Sequence, residues 1–358
     1  MELGLDAKVL EAYGYTKENV KITRIGTGLI NRTYLLSTLP EDKKHILQKI
    51  NTSVFKKPQA IADNLKAVAG YLTKTYPDYL FIKPISTVKG EEMAQIHNEY
   101  WRMLPYVSDT VSLDVLNEPQ QAYEAAKQFG KLSSLLNDFD VSVLEPTIPG
   151  FHDLGLRFKQ FNLALSTTSK ELRKQAKLQI DDALVHKHIL DYFRSYSKCV
   201  DFPDRVMHHD TKISNVLLDS ETFKGVCVID LDTIMPGKFI SDLGDMMRTY
   251  LCAFSENETD LDKIKIRLPY FEAMIKGYLS EMKSILTETE KELILFSGKY
   301  IIYMQALRFL TDFLNGNIYY PTSYLSQNLD RAKNQFKLLQ ELFLNEKELQ
   351  DIVEQNLV

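Results

Sequence analysis

Beyond the first helical turns, the chain alternates apolar and polar residues in short runs: VKITRI, RTYLLSTL and KHILQKIN. A period of two marks strands. In the third run Ile46, Gln48 and Ile50 share one face, while Leu47 and Lys49 share the other. GTGLIN, between the first two runs, predicts a glycine turn. PQAIADNLKAVAGYLTKTY then changes period, with Ile61, Leu65, Val68 and Leu72 on one helical face. Two more extended stretches follow, around 95–96 and 100–104, and end at Pro105. A short helix over 4–13, closed near Gly14, precedes them all.

From Gln120 the helical period dominates, over 120–138, 153–166, 170–199, 241–254, 262–282, 288–315 and 324–355. The exception is RVMHHDTKISNVLLDSETFKGVCVIDLD, which reads as loop, strand, turn, strand. The pattern predicts an α+β chain of two lobes. Residues 1–105 form a small antiparallel-sheet N-lobe, and residues 106–358 a larger, mainly helical C-lobe. A ligand cleft is expected between them. No internal repeat or low-complexity segment interrupts either part.

Composition narrows the classes. The 358 residues are ample for a buried core, and a net charge of -5 without basic clusters argues against nucleic acid. Cys199, Cys227 and Cys252 are few and form no CxxC, which fits a reducing cytoplasm. MELGLDAKVLEAYGY lacks the apolar centre of a secretory signal, and no apolar run is long enough to span a membrane. A cytoplasmic protein, not bound to membranes, is the expectation.

Two acidic stretches carry the candidate chemistry. HHDTKISN places Asp210, Lys212 and Asn215 in one polar loop, and VIDLDT places Asp230 and Asp232 behind apolar residues. An acid ending a buried strand is costly unless it is paired or binds a metal. One apparent hairpin separates the two stretches, so Asp210, Asn215 and Asp230 can share a small volume. That set suits phosphoryl transfer from ATP. Asn215 and Asp230 offer hard oxygen ligands to Mg²⁺. Asp210 would orient the acceptor hydroxyl and take its proton late, and Lys212 would stabilise the charge on the transferring group. Each stretch alone is also compatible with an ordinary turn. Their order and spacing, behind a strand–glycine-turn–strand unit, favour the kinase reading and a protein-kinase-like fold.

The rest of the nucleotide site is read from position. Gly26, Thr27, Gly28 and Asn31 form the turn expected to cover the phosphates; strands flank it on both sides, unlike a dinucleotide fingerprint or P-loop. Lys49, on the third strand, is the candidate partner of the α- and β-phosphates, with Asp63 of the following helix as its acid. YWRMLPYV is the expected hinge, where backbone groups around Pro105 and Val107 would read the adenine edge; Trp101 reads as a core aromatic.

These stretches, with DLGDMMRT after them, resemble the aminoglycoside phosphotransferase and choline kinase superfamily. ILQKINTSVF, YWRMLPYV and IDLDTIMPG look closest to its N-acetylhexosamine 1-kinase branch. The resemblance implies ATP, Mg²⁺ and transfer to the anomeric hydroxyl of N-acetylglucosamine or N-acetylgalactosamine. It implies Asp210 as base and Asn215 and Asp230 as metal ligands. A small residue is usual where His209 stands, so that ring either contacts substrate or fills space. Asp242 and Asp245 brace the catalytic loop or cap a helix. For the sugar, Arg308 and Tyr319 in QALRFLTDFLNGNIYY are candidate contacts, unless Arg308 simply pairs with Asp312. His186 and His188 read as a solvated helix face, and the last helix as packing, in a monomer or weak homodimer. Two rivals remain: a kinase of choline, ethanolamine, methylthioribose or an aminoglycoside, and an ATP-binding module without turnover.

Overall fold

The computed structural model describes residues 5–25 and 30–358. The expected phosphate contacts Gly26, Thr27 and Gly28 lie outside them. Asp6 caps the first helix, α1 (Ala7–Glu11), by accepting from Lys8 N at 3.0 Å. An antiparallel sheet follows, built from β1 (Val20–Ile25), β2 (Arg32–Thr38), β3 (Lys44–Lys49), β4 (Ala94–Ile96) and β5 (Glu99–Pro105) in the order β1-β2-β3-β5-β4. Between β3 and β4 runs α2 (Pro58–Thr75), opened by a proline whose missing N–H costs nothing at a helix start.

The period of two sorts the sheet into two unlike faces. Tyr34, Leu36, Leu47, Trp101 and Met103 pack with Val9 and Leu10 of α1 and with Tyr13 just after it, in a small core of their own. The other face carries Thr33, Gln48 and Arg102. α2 covers Ile50 and Phe55 with Ile61, Leu65 and Leu72, and this core continues unbroken into the C-terminal part. Asn64 fastens the helix there. Its amide donates to Glu145 O at 2.7 Å and Ile234 O at 2.9 Å, and its oxygen accepts from Glu145 N at 2.9 Å.

Past Pro105 the chain makes β6 (Thr110–Val111) and then α3 (Pro119–Leu135), α4 (Leu154–Thr167), α5 (Lys170–Gln175), α6 (Lys177–Val185) and α7 (His188–Tyr196). A second group of strands carries the acidic stretches: β7 (Arg205–Met207), β8 (Val216–Asp219), β9 (Gly225–Val228) and β10 (Met235–Gly237). β6, β8 and β9 form one sheet, and β7 pairs with β10. α8 (Ile240–Tyr250), α9 (Leu268–Met282), α10 (Glu288–Glu292), α11 (Ile294–Leu314), α12 (Gln327–Leu344) and α13 (Glu346–Leu357) complete the body. α11 is its axis: apolar nearly all round, it has α4, α8 and α12 against it. Two helix pairs approach through glycine. A Cβ on Gly277 would stand 2.1 Å from Tyr123 O of α3, and one on Gly244 2.2 Å from Ser297 O of α11.

The continuous helix expected over 170–199 is three short ones, and the one over 324–355 is two. The breaks fall at Ala176, at His186 and Lys187, and at Asn345, without proline or glycine. Each bend turns a separate apolar set inward: Ile180 and Ala183 from α6, Ile189 and Leu190 from α7. No helix of the described residues is long and apolar enough to cross a membrane.

Candidate active site

The hairpin of β8 and β9 does what its sequence demanded. Val216 faces Val228, and Ile229 N donates to Asn215 O at 2.8 Å, so Asp230 emerges beside the loop that holds Asp210. A single 3₁₀ turn carries Ile213–Asn215, and a second carries Leu231–Thr233. Asp230 itself is left-handed, at φ 58°, as is His209 at φ 66°. Such backbone is uncommon outside glycine and persists where surroundings enforce it.

Helix α8 enforces the loop. The Asp242 carboxylate accepts from His208 N at 2.9 Å and His209 N at 2.7 Å, and Asp245 accepts from Thr211 N at 2.9 Å. The Thr211 hydroxyl donates to Asp242 O at 2.7 Å, and Tyr250 Oη to Thr211 O at 2.9 Å. Arg248 ties Asp245 to Glu256, at 2.8 and 3.0 Å. Asp242 therefore braces the loop that holds Asp210 and does not cap α8, whose N-cap is Phe239 without a side-chain bond. Burial pushes the Asp242 carboxyl up to about 6. His208 Nε2 meets Ile229 O at 2.9 Å, and Thr233 Oγ1 donates to His208 O at 2.6 Å, joining the two acidic stretches from behind.

In front, Asp210 Oδ2 accepts from Lys212 Nζ at 3.0 Å and Asn215 Nδ2 at 2.9 Å. The Asn215 amide also donates to Asp210 O, at 2.8 Å. Burial raises the Asp210 carboxyl, but Lys212, His208 and Asn215 outweigh it and hold it below its ordinary value. Burial lowers Lys212, while Asp210 and Asp230 raise it further and keep it charged. Asp230 is the reverse case. Burial, Asp232 and Asp210 push its carboxyl up to about 7. The described residues make no hydrogen bond to it. Three acids thus meet with too little positive charge, which is the setting a divalent cation relieves. The described residues contain no cluster of three or more His, Cys, Asp or Glu poised to hold a metal. Mg²⁺ needs fewer, since one or two protein oxygens plus substrate phosphates suffice. Asn215 and Asp230 fit that role.

The expectation for Lys49 is corrected. It lies opposite Trp101 in the sheet, on the face packed by α1, and its ammonium pairs with Glu99. Asp63 instead accepts from Gln59 Nε2 at 2.9 Å on the exposed side of α2. The opposite face of the sheet carries Gln48 and Arg102. Arg102 donates to Gln48 Oε1 from Nε at 2.9 Å and Nη2 at 2.7 Å, and pairs through Nη1 with Asp232. Asn31 Nδ2 reaches the same Asp232, at 2.6 Å, and Asn31 Oδ1 accepts from Asn51 N at 3.0 Å. Asp232 is thus an anchor between the two lobes. Pro105 ends β5 opposite His45, and Val107 O accepts from Thr110 Oγ1 at 2.9 Å, so the expected hinge is the strap that leads from the sheet into β6.

Against His209 a second group of side chains gathers. Arg157 Nη2 donates to Gly150 O and Phe151 O, each at 2.9 Å, and fixes the loop that presents Phe151 and His152. The His152 ring lies 5.3 Å from that of His209, and Phe151 stacks on His152 at 4.5 Å. Arg308 stands over Phe151 at 5.3 Å, Tyr320 at 5.5 Å and Tyr319 at 6.0 Å. It does not pair with Asp312, which accepts from Ile318 N, Tyr319 N and Tyr320 N and so shapes the loop after α11. Arg308 and Tyr319 are thereby brought together. His209 fills space: Nδ1 shares its bond between Met207 O and Thr233 O, and the ring packs on Gly237, where a Cβ would stand 2.4 Å from Nε2. Burial lowers its pKa to about 4. Phe151, His152 and Arg157 carry no motif that the sequence would single out.

A family model described as "Phosphotransferase enzyme family" matches residues 21–271. Solved structures share the fold at low identity. A microcompartment-associated aminopropanol kinase superposes with a TM-score of 0.59 at 14% identity, covering 95% of this chain and 97% of that one. Spectinomycin phosphotransferase APH(9)-Ia, solved with ADP and spectinomycin, gives 0.58 at 15%, covering 95% and 97%. Plasmodium vivax ethanolamine kinase gives 0.58 at 15%, covering 89% and 82%.

Proposed function

Because the chain belongs to the phosphotransferase enzyme family, we propose that it transfers the γ-phosphoryl group of ATP to the anomeric hydroxyl of an N-acetylhexosamine, N-acetylglucosamine or N-acetylgalactosamine. The observation that carries the transfer is the meeting of Asp210, Lys212, Asn215 and Asp230 at the end of one hairpin. Asp210 Oδ2 is engaged by Lys212 and Asn215, which leaves Oδ1 to face the acceptor hydroxyl. The sugar oxygen attacks phosphorus, the bond to the ADP oxygen breaks, and Asp210 takes the hydroxyl proton late. A carboxylate held below its ordinary pKa suits a late transfer, because it orients the hydroxyl better than it deprotonates it. Lys212 faces the charge that grows on the transferring group. Asn215 and Asp230 would hold Mg²⁺, which would supply neutralisation of the phosphate oxygens.

The acceptor wall supports a sugar. Arg308 lies among Phe151, Tyr319 and Tyr320, and Arg157 lies behind the same loop. Guanidinium donors suit hydroxyls and an amide carbonyl, and aromatic faces suit the C–H surface of a pyranose. Choline, ethanolamine or an aminoglycoside would bring a cation toward Arg308 and need carboxylates or an open aromatic cage there.

Release of ADP from ATP and Mg²⁺ is the assay, over N-acetylglucosamine, N-acetylgalactosamine, glucose, choline and kanamycin. Turnover is expected on the acetylated sugars. Asp210→Asn should cut kcat by about 10²–10⁴-fold while ADP still binds. Turnover on choline or kanamycin alone would overturn the acceptor, and full activity in Asp210→Asn would overturn the mechanism.

A further inference from the structure

Of the two lysines of β3, Lys44 shares the face of Gln48 but stands at the first residue of the strand, beside Asp42 at 3.9 Å. Strand alternation sends Lys49 to the α1 side and leaves Gln48 at the position from which a β3 cation would reach phosphates. The neighbouring strand supplies the charge instead. Arg102, on β5 directly opposite Gln48, is 1% exposed and has three of its directions fixed: Nε and Nη2 on Gln48 Oε1, and Nη1 on Asp232. Gln48 is itself held, since its Nε2 donates to Thr33 Oγ1 at 3.1 Å. Asp232 stands two residues beyond Asp230 and also takes Asn31, at the foot of the glycine turn.

We propose, on the reading above of an ATP-dependent kinase, that Arg102 is the cation that grips the nucleotide's β- and γ-phosphates, moved from β3 to β5 by the exchange of positions with Gln48. A fully buried guanidinium with one carboxylate partner is costly to keep. A mere staple between the lobes could be built from neutral groups, as Asn64 shows. With Nε and Nη2 on Gln48 and Nη1 on Asp232, the guanidinium keeps N–H groups on Nη1 and Nη2 that are matched to phosphate oxygens. Asp232 holds it in register with the metal ligand Asp230.

The test is nucleotide affinity by calorimetry, read without acceptor, as the ratio of ATP to AMP binding. Arg102→Met should weaken ATP and ADP at least tenfold and AMP by less than threefold. Arg102→Lys, which keeps a charge and fills the site should Met prevent folding, should lie between. Gln48→Lys in the Arg102→Met chain returns the cation to β3 and should recover most of the ATP preference. Lys49→Met should stay within twofold of the unaltered protein. Equal losses for ATP and AMP in the Arg102 variants, or a larger loss in Lys49→Met, would overturn the proposal and leave Arg102 a structural pair. An unaltered protein that binds no nucleotide would sink the kinase reading itself; one that binds ATP with the Arg102 variants unchanged sinks only this inference.

Discussion

At the scale of single residues, the site is built from groups whose charge is set by what surrounds them. His209 shows this most simply. Its ring is buried against His152 and Gly237 and is held neutral, with a pKa lowered from 6.5 to about 4. The unfolded chain therefore binds one more proton than the folded one between those values. Stability from this residue is complete above pH 6.5 and is lost as pH falls toward 4. Asp242 works in the opposite sense, since its carboxyl is raised from 3.8 to about 6, and folding weakens as pH rises through that window. A comparison of two proteins that both keep Asp242 removes its effect. His209→Gln should be less stable than the parent at pH 7, through lost packing. In urea unfolding the gap should narrow by roughly 2–3 kcal/mol at pH 4.5, where the parent bears the cost of keeping the buried imidazole neutral while the unfolded ring takes up a proton. A gap that stays constant from pH 7 to 4.5 would show that the ring is protonated or exposed in the folded protein. HHDTKISN and VIDLDT announced themselves because phosphoryl transfer restricts residue type and spacing together. Arg102 and Arg157 did not, because a lone arginine in an apolar strand or helix looks the same whether it meets a ligand or a carbonyl.

At the scale of elements, the catalytic loop is only as firm as α8 behind it. Asp242 and Asp245 reach the loop from the first turns of that helix, and Gly244 between them lets α8 lie against α11 at backbone distance. Gly244→Ala would place a Cβ 2.2 Å from Ser297 O and must push the helices apart. Overpacking of this kind costs about 1–3 kcal/mol. Because the displaced helix carries both bracing acids, kcat should fall more than nucleotide affinity does. Gly298→Ala is the control: it meets the side chain of Met247, which can move, and should spare kcat. Melting temperature and steady-state kinetics on both variants check this. The same reasoning explains what the sequence could and could not foretell. Strand periods over VKITRI and KHILQKIN placed the sheet correctly, since each face has a different neighbour. They also held the answer to Lys49, because its parity with Leu47 puts both on the α1 side. A motif compared by adjacency alone, ILQK against a kinase strand, shifts the cation by one residue and hence to the wrong face. The breaks inside 170–199 had no signal, for no proline or glycine marks them and α5, α6 and α7 each pack on α11.

At the scale of the whole molecule, the apolar residues divide into two cores of unequal size. The larger runs from Ile50, Phe55 and α2 through α3, α8, α9 and α11, while the smaller joins α1 to the outer face of the sheet through Leu36, Leu47, Trp101 and Met103. α2 belongs to the larger core by packing and by the three hydrogen bonds of Asn64. The segment free to move against the C-terminal body is therefore the sheet with α1, and not the whole stretch up to Pro105. Among the described residues, Tyr100 and Leu104 of β5 pack on the larger core, and Arg102 and Asn31 add polar ties to Asp232. Native-state hydrogen exchange should then resolve two units. Amides of β1, β2 and β3 should open at a lower free energy than those of α8, α9 and α11, with α2 exchanging alongside the latter. Adding ADP and Mg²⁺ should protect the sheet amides most, because a nucleotide bridging both lobes binds the closed arrangement and is lost when the sheet lifts. Asn64→Ala should move α2 into the weaker unit, since it strands two carbonyls and one N–H that the amide now satisfies. Uniform protection across sheet and helices, unchanged by nucleotide, would mean that the sheet is no separate unit and that the cleft does not open by its movement.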